Sequence, residues 1–122
     1  MSEWDGLLDK RFELGGRGPD TFDCYGLVQE IYRRQGIQVP DYATPESGPL
    51  IAALIAMELR LWEKVDPQAG AMAVFRIPGS LHVGYCLSSH EFIHVWEGSN
   101  CVIRERLNLW KPRLIGCYRY VG

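Results

Sequence analysis

The chain has 122 residues, 13 Lys and Arg against 15 Asp and Glu, a formal net charge of −2, and 47% hydrophobic residues. That length suits one compact domain, residues 1–122, with a core large enough to do without cross-links. The near balance of charge argues against a general nucleic-acid binder, which is usually strongly basic, and the longest apolar run, residues 49–57, is far too short for a membrane span.

In chain order, residues 4–12 read as a short amphipathic helix, with Trp4, Leu7, Leu8 and Phe12 at helical spacing. Gly15, Gly16, Gly18 and Pro19 then form a loop. Residues 24–35 fit a second helix. Its apolar face is Leu27, Val28, Ile31 and Tyr32, with Asp23 as N-cap and Gly36 just past its end. Residues 38–48 hold two prolines and read as loop, and 49–64 as a further helix. After Asp66-Pro67 the period changes. Residues 71–77, 81–87, 91–96, 101–105 and 114–120 read as short strands separated by turns. Helices first and strands second imply an α+β fold with an antiparallel sheet of about five strands.

The four cysteines, Cys24, Cys86, Cys101 and Cys117, form no C-x-x-C pair. The N-terminal residues carry early acids and no apolar stretch of signal-peptide length. The expectation is synthesis in the cytoplasm without a signal peptide, with reduced thiols. Cys86, Cys101 and Cys117 fall in expected strands and suit small core positions.

Chemistry concentrates in two places. Cys24 follows a glycine-rich loop and opens a helix, where the helix dipole favours a thiolate and unpaired amides can face an oxyanion. The alternative is a buried structural cysteine. The second place is residues 81–94. A nucleophilic cysteine needs an imidazole to move its proton and a polar group to orient that imidazole. His82 and His94, on neighbouring expected strands, can fill both roles, although a strand histidine is more often structural. His90-Glu91-Phe92-Ile93-His94 also matches the zinc-peptidase signature H-E-x-x-H. That chemistry needs a helix carrying both histidines on one face, with a third ligand such as Glu97 or Glu105.

Several blocks together resemble the NlpC family of peptidoglycan endopeptidases. They are the glycine-pair loop 12–16, Phe22-Asp23-Cys24-Tyr25-Gly26-Leu27-Val28, the strand entry QAGAMAVF at 68–75, His82-Val83-Gly84-Tyr85, and Phe92-Ile93-His94. The resemblance covers nearly the whole chain. It implies a papain-like fold, N-terminal helices packed on the sheet, and a cysteine peptidase needing no metal or organic cofactor. It also implies Cys24 as nucleophile, His82 as base and His94 as its orienting partner. The substrates would be peptidoglycan stem peptides, cut between γ-D-glutamate and a diamino acid, with Asp23 helping to recognise the substrate amine.

Two positions depart from the family pattern. Phe12 stands where many members have tyrosine, so a hydroxyl contact is lost. Tyr25 stands where many have serine, and its ring would reshape the amine end of the groove. An aromatic there resembles the phage tail-assembly branch, which implies phage tail-tip proteins as partners and a virion-associated location. A catalytically silent tail component is the alternative. Trp4, Trp62 and Trp110 suit packing roles. Trp96, just beyond His94, is the best exception, a candidate sugar-stacking platform.

Overall fold

The computed structural model describes residues 4–41, 61–78 and 80–122. Two short parallel strands, β1 (Arg11–Phe12) and β2 (Thr21–Phe22), lead into helix α1 (Cys24–Arg34). Next come β3 (Trp62–Val65), β4 (Met72–Ile77), β5 (Ser80–Cys86), β6 (Glu91–His94) and β7 (Ile103–Arg106). A four-residue helix α2 (Leu107–Trp110) and a 3-10 turn (Lys111–Arg113) precede β8 (Leu114–Tyr120). Strands β3 to β8 form one six-stranded antiparallel sheet in the order β3-β8-β4-β5-β6-β7.

Helix α1 forms where the sequence pattern places it. Asp23 caps it through Oδ1, which accepts the Gly26 N–H at 2.6 Å. At the other end Gly36 takes φ +78°, the Gly36 N–H donates to Arg33 O at 3.0 Å, and the Ile37 N–H reaches back to Tyr32 O at 3.0 Å. These two bonds make a Schellman motif. Leu27, Val28 and Ile31 are wholly buried, and the helix packs mainly across β5.

Strand alternation divides the core into two layers. Met72, Val74, Val83, Tyr85 and Ile93 join the α1 side. Ala73, Phe75, Cys86, Phe92 and Cys117 join Leu107 and Trp110 on the other side. Cys86 and Cys117 are buried as expected, with their sulfurs 3.9 Å apart and unbonded covalently; Cys101 is half-buried.

Three readings from the sequence need correction. Residues 4–9 form turns rather than a helix, and 11–12 are strand. Gly6 and Asp9 adopt φ of 77° and 72°, which breaks an α-helical ladder, and the Asp9 and Val102 amides tie the segment to residues 102 and 10 instead. The expected helix 49–64 falls outside the described residues except at its end, where Trp62 to Lys64 belong to β3. Pairing with β8 wins there because Trp62, 2% exposed, packs edge-on against Tyr32 and Tyr120. That strand brings the sheet to six rather than about five. The 101–105 strand begins two residues later, at Ile103, and Cys101 makes only an isolated bridge to Arg11.

Gly36 tests the helix stop cleanly, since a side chain there would meet nothing within 4 Å. Gly36→Ala is expected to lower the unfolding free energy by about 1 kcal/mol through the left-handed backbone alone, as read by urea titration. An unchanged midpoint would show that the turn relaxes freely.

Candidate active site

The loop before α1 is locked before any side chain acts. The Asp23 N–H donates to Gly16 O at 3.1 Å, and a Cβ on Gly26 would lie 2.1 Å from that same oxygen. Only glycine lets the helix start this close to the glycine-pair loop. Arg17 closes the corner: its Nη1 donates to Asp23 Oδ1 at 2.7 Å, and its Nε to Asp41 Oδ1 at 3.0 Å. Asp23 is 1% exposed, and its Oδ2 is sealed without a hydrogen-bond partner among the described residues.

Cys24 is the first residue of α1 and keeps 9% of its surface exposed. The backbone N–H groups of Val83 and Tyr25 lie near enough to its sulfur to favour the thiolate. The β5–β6 ladder is confined to Tyr85–Ile93 and Cys86–Phe92, so residues 82 and 83 lie beyond it. The amide that acts most on the thiol thus belongs to the residue following His82.

His82 and His94 meet as the strand reading anticipated. His82 Nε2 and His94 Nδ1 are 2.8 Å apart, with the rings 2% and 0% exposed. Gly84 permits this approach, because a Cβ there would crowd the Phe92 ring at 2.7 Å and the His94 Cβ at 3.2 Å. Around His82 stand Phe75, Trp96 and Trp110, at centroid distances of 5.9, 5.9 and 5.6 Å. His94 Nε2 faces Glu105 Oε1 at 2.7 Å, and Trp110 Nε1–H donates to Glu105 Oε2 at 3.2 Å. From sequence Trp110 reads as packing, and Glu105 as a nearby zinc-ligand option within a solvated charge run. Nothing in their local pattern announces a place beside the histidines. Trp96, singled out from sequence, does lie against His82.

The remaining candidates separate. Phe12 is half-buried and pairs with Phe22, two residues before Cys24. Tyr25 is wholly buried, its hydroxyl donating to Pro40 O at 2.5 Å. The ring thus anchors the α1 start in the core, which corrects its expected place as a groove wall. His90 is exposed in a turn and His94 is buried in β6. The H-E-x-x-H stretch is turn and strand, so its histidines lack the one-turn helical spacing that signature needs.

Burial governs the titrations. Burial pushes the Cys24 thiol up to about 11. The Val83 amide opposes this, the Asp23 charge adds to it, and the Tyr25 amide and Arg17 pull back. The thiolate expected at a helix start is therefore not the resting form. Burial also holds His82 well below its ordinary 6.5, with His94 adding to the depression. His94 is lowered by burial against the opposing pull of Glu105. At rest the thiol is protonated and both imidazoles are neutral; no hydrogen bond joins Cys24 to either ring among the described residues.

Residues 9–119 match the NlpC/P60 family. The chain belongs to that family. The murein DD-endopeptidase MepS/murein LD-carboxypeptidase of Escherichia coli strain K12 is 26% identical over 117 residues, 92% of this chain. This chain covers 55% of that relative's length. An NLP/P60-family lipoprotein-like structure from Staphylococcus aureus superposes with TM-score 0.70 at 22% identity, over 98% of this chain and 39% of that one. An NlpC/P60 family protein from Bacillus cereus gives 0.69 at 26%, over 95% and 37%. The P60 domain of an antigen from M. avium subspecies paratuberculosis gives 0.68 at 16%, over 98% and 89%. The NlpC/P60 papain-like α+β architecture is thus the fold of this chain. Among its described residues, no helix is long and apolar enough to cross a membrane.

Two measurements follow from the titrations. The native state binds fewer protons than the unfolded chain at acid pH, because both imidazoles are held below 6.5. Their contribution to stability is full above that pH and is lost as pH falls below it. Urea midpoints are expected to drop from pH 8 to pH 5, and less steeply in a His82→Gln/His94→Gln variant; equal slopes would reject the neutral pair. Separately, iodoacetamide alkylation of Cys24 should accelerate with pH up to about 11. A plateau already reached near neutrality would mean a resting thiolate.

Proposed function

We propose that this chain is a cysteine peptidase of bacterial cell-wall stem peptides, with Cys24 as nucleophile, His82 as general base and His94 orienting His82. The observation that carries the reading is the buried pair of His82 Nε2 and His94 Nδ1 at 2.8 Å, on the strand whose next residue, Val83, turns its amide to the Cys24 thiol. That engagement leaves Nδ1 as the ring nitrogen available to a thiol.

The chemistry follows from the neutral resting state. As the sulfur attacks the scissile carbonyl, His82 Nδ1 takes the thiol proton. In the first turn of α1, the Gly26 amide goes to Asp23 Oδ1 and the Leu27 amide to Asp23 O, while the Tyr25 amide acts on the thiol. The Cys24 amide remains for the oxyanion. The imidazolium then gives its proton to the departing amine, leaving a thioester. Water attacks that thioester as His82 removes its proton, and the carboxylate product and the free thiol are restored. The raised thiol makes the transfer concerted with attack, rather than a preformed ion pair.

The finer assignment is cleavage between γ-D-glutamate and a diamino acid. It rests on the Asp23-Cys24 block and competes with the DD-endopeptidase activity named for the Escherichia coli relative. In this reading Asp23 contributes through its buried cap and its ion pair with Arg17, which is 26% exposed. Tyr25 after the nucleophile supports a phage or prophage tail-associated protein, with tail-tip proteins as partners. A second reading, a silent tail component, is favoured by Phe12, which has no hydroxyl, and by the raised Cys24 thiol.

Purified muropeptides separate these readings, with products read by mass spectrometry. Wild type is expected to cut them, to lose activity to a thiol alkylator and to resist a chelator. Cys24→Ala is expected to abolish turnover while keeping the unfolding midpoint. Turnover surviving in Cys24→Ala would reject the nucleophile, and no cleavage by wild type would favour the silent component.

A further inference from the structure

The hydrogen-bond line through the two histidines does not end at His94. Glu105 sits on β7, its Cα opposite Phe92 on β6 and diagonal to His94. Its Oε1 lies 2.7 Å from His94 Nε2, while Oε2 is taken by the Trp110 indole N–H at 3.2 Å. The carboxylate is thus held at both oxygens by groups of the site itself.

Each donor and acceptor along the line fixes the next. An ionised carboxylate only accepts, so His94 Nε2 must carry its proton. A neutral imidazole has a single N–H, so His94 Nδ1 is a bare lone pair. The 2.8 Å bond to His82 Nε2 needs a donor, and His82 Nε2 must supply it. His82 Nδ1 is then the bare nitrogen. Without Glu105 the same two rings could bond the other way round: His94 Nδ1–H would donate to His82 Nε2, and the proton of His82 would sit on Nδ1. A thiol would then face an N–H instead of a base.

We propose that Glu105 is a positioning residue that fixes the tautomers of His94 and, through it, of His82, so that the basic nitrogen of His82 is Nδ1. The catalytic consequence rests on Cys24 and His82 acting as proposed above; the tautomer assignment does not. Glu105 touches neither the thiol nor a substrate, and it acts two rings away. The indole of Trp110 has a matching part, because by occupying Oε2 it leaves Oε1 for His94.

Glu105→Gln is the informative substitution, since it keeps shape and removes one acceptor. The amide offers one oxygen and one NH₂ to two partners that both now donate. The indole can only donate, whereas His94 can tautomerise, so the oxygen goes to Trp110 and the NH₂ meets His94 Nε2. Long-range ¹H–¹⁵N NMR of the imidazoles in the full chain at pH 8 reads this directly. Wild type is expected to show Nε2–H on both His82 and His94, and Glu105→Gln to show Nδ1–H on both. Glu105→Leu, with no polar group, is expected to give a mixture and serves as the second variant. On muropeptides, kcat in Glu105→Gln should fall by on the order of 10²-fold or more with KM nearly unchanged. Nε2–H tautomers retained in both variants would overturn the proposal, as would reversed tautomers with an unaltered kcat. If wild type itself cleaves nothing, the peptidase reading fails, and the NMR spectra still decide whether Glu105 sets the tautomers.

Discussion

One buried bond, His82 Nε2 to His94 Nδ1 at 2.8 Å, makes demands on most of the fold. Two imidazoles in a low-dielectric interior are costly unless each polar atom finds a partner. The partners have to come from different strands. β5 supplies one ring and β6 the other, and Gly84 keeps the space between them open. β7 supplies the carboxylate and α2 the indole that holds it. The short β5–β6 ladder then leaves the Val83 amide for the sulfur. Satisfying the histidines is thus what sets the order β5-β6-β7 and the place of α2 to useful purpose.

The aromatic wall around the pair has an electrostatic as well as a packing role. Phe75, Trp96 and Trp110 lie within 6 Å of the His82 ring by centroid distance. They exclude the water that would solvate an imidazolium, so the ring rests neutral. A neutral ring can accept a proton, and the same desolvation makes it give that proton up readily. In the proposed peptidase, a base that has to return its proton to a leaving amine would profit from both properties.

Much of this was legible in the sequence, and for physical reasons. The helix at 24–35 is a local object: a capping Asp23, a 3.6-residue apolar stripe and Gly36 at the stop determine it without help from distant residues. β4, β5 and β8 are short apolar runs bounded by turn residues, and Cys24, His82 and His94 stand in blocks whose order and spacing are distinctive. The failures are tertiary. Residues 4–12 have helical spacing, but Asp9 and Lys10 gain more by bonding Val102. Trp62 reads as the end of a helix until Tyr120 is known to lie beside it. Glu105 occupies an exposed-looking strand position, and only the register Phe92–Glu105 brings its carboxylate to His94. Tyr25 looked like a groove residue because its neighbour is Cys24, yet its ring turns wholly into the core.

The thiol shows why a motif argument needs magnitudes. A helix N-terminus stabilises a nearby anion by about 0.3–1 kcal/mol, rarely up to about 2. Burial and its companions raise Cys24 from 9.0 to about 11, which corresponds to roughly 3 kcal/mol against the thiolate. Burial therefore wins, even with two amides and Arg17 favouring the anion. The positive pole of α1 is not wasted by this outcome. A negative charge appearing on a substrate oxygen beside the Cys24 amide would meet the same pole, and the sulfur would no longer carry the charge that competes for it. Under the proposed mechanism the helix end would serve the charge that develops during attack more than the one at rest, which is the differential stabilisation that catalysis requires.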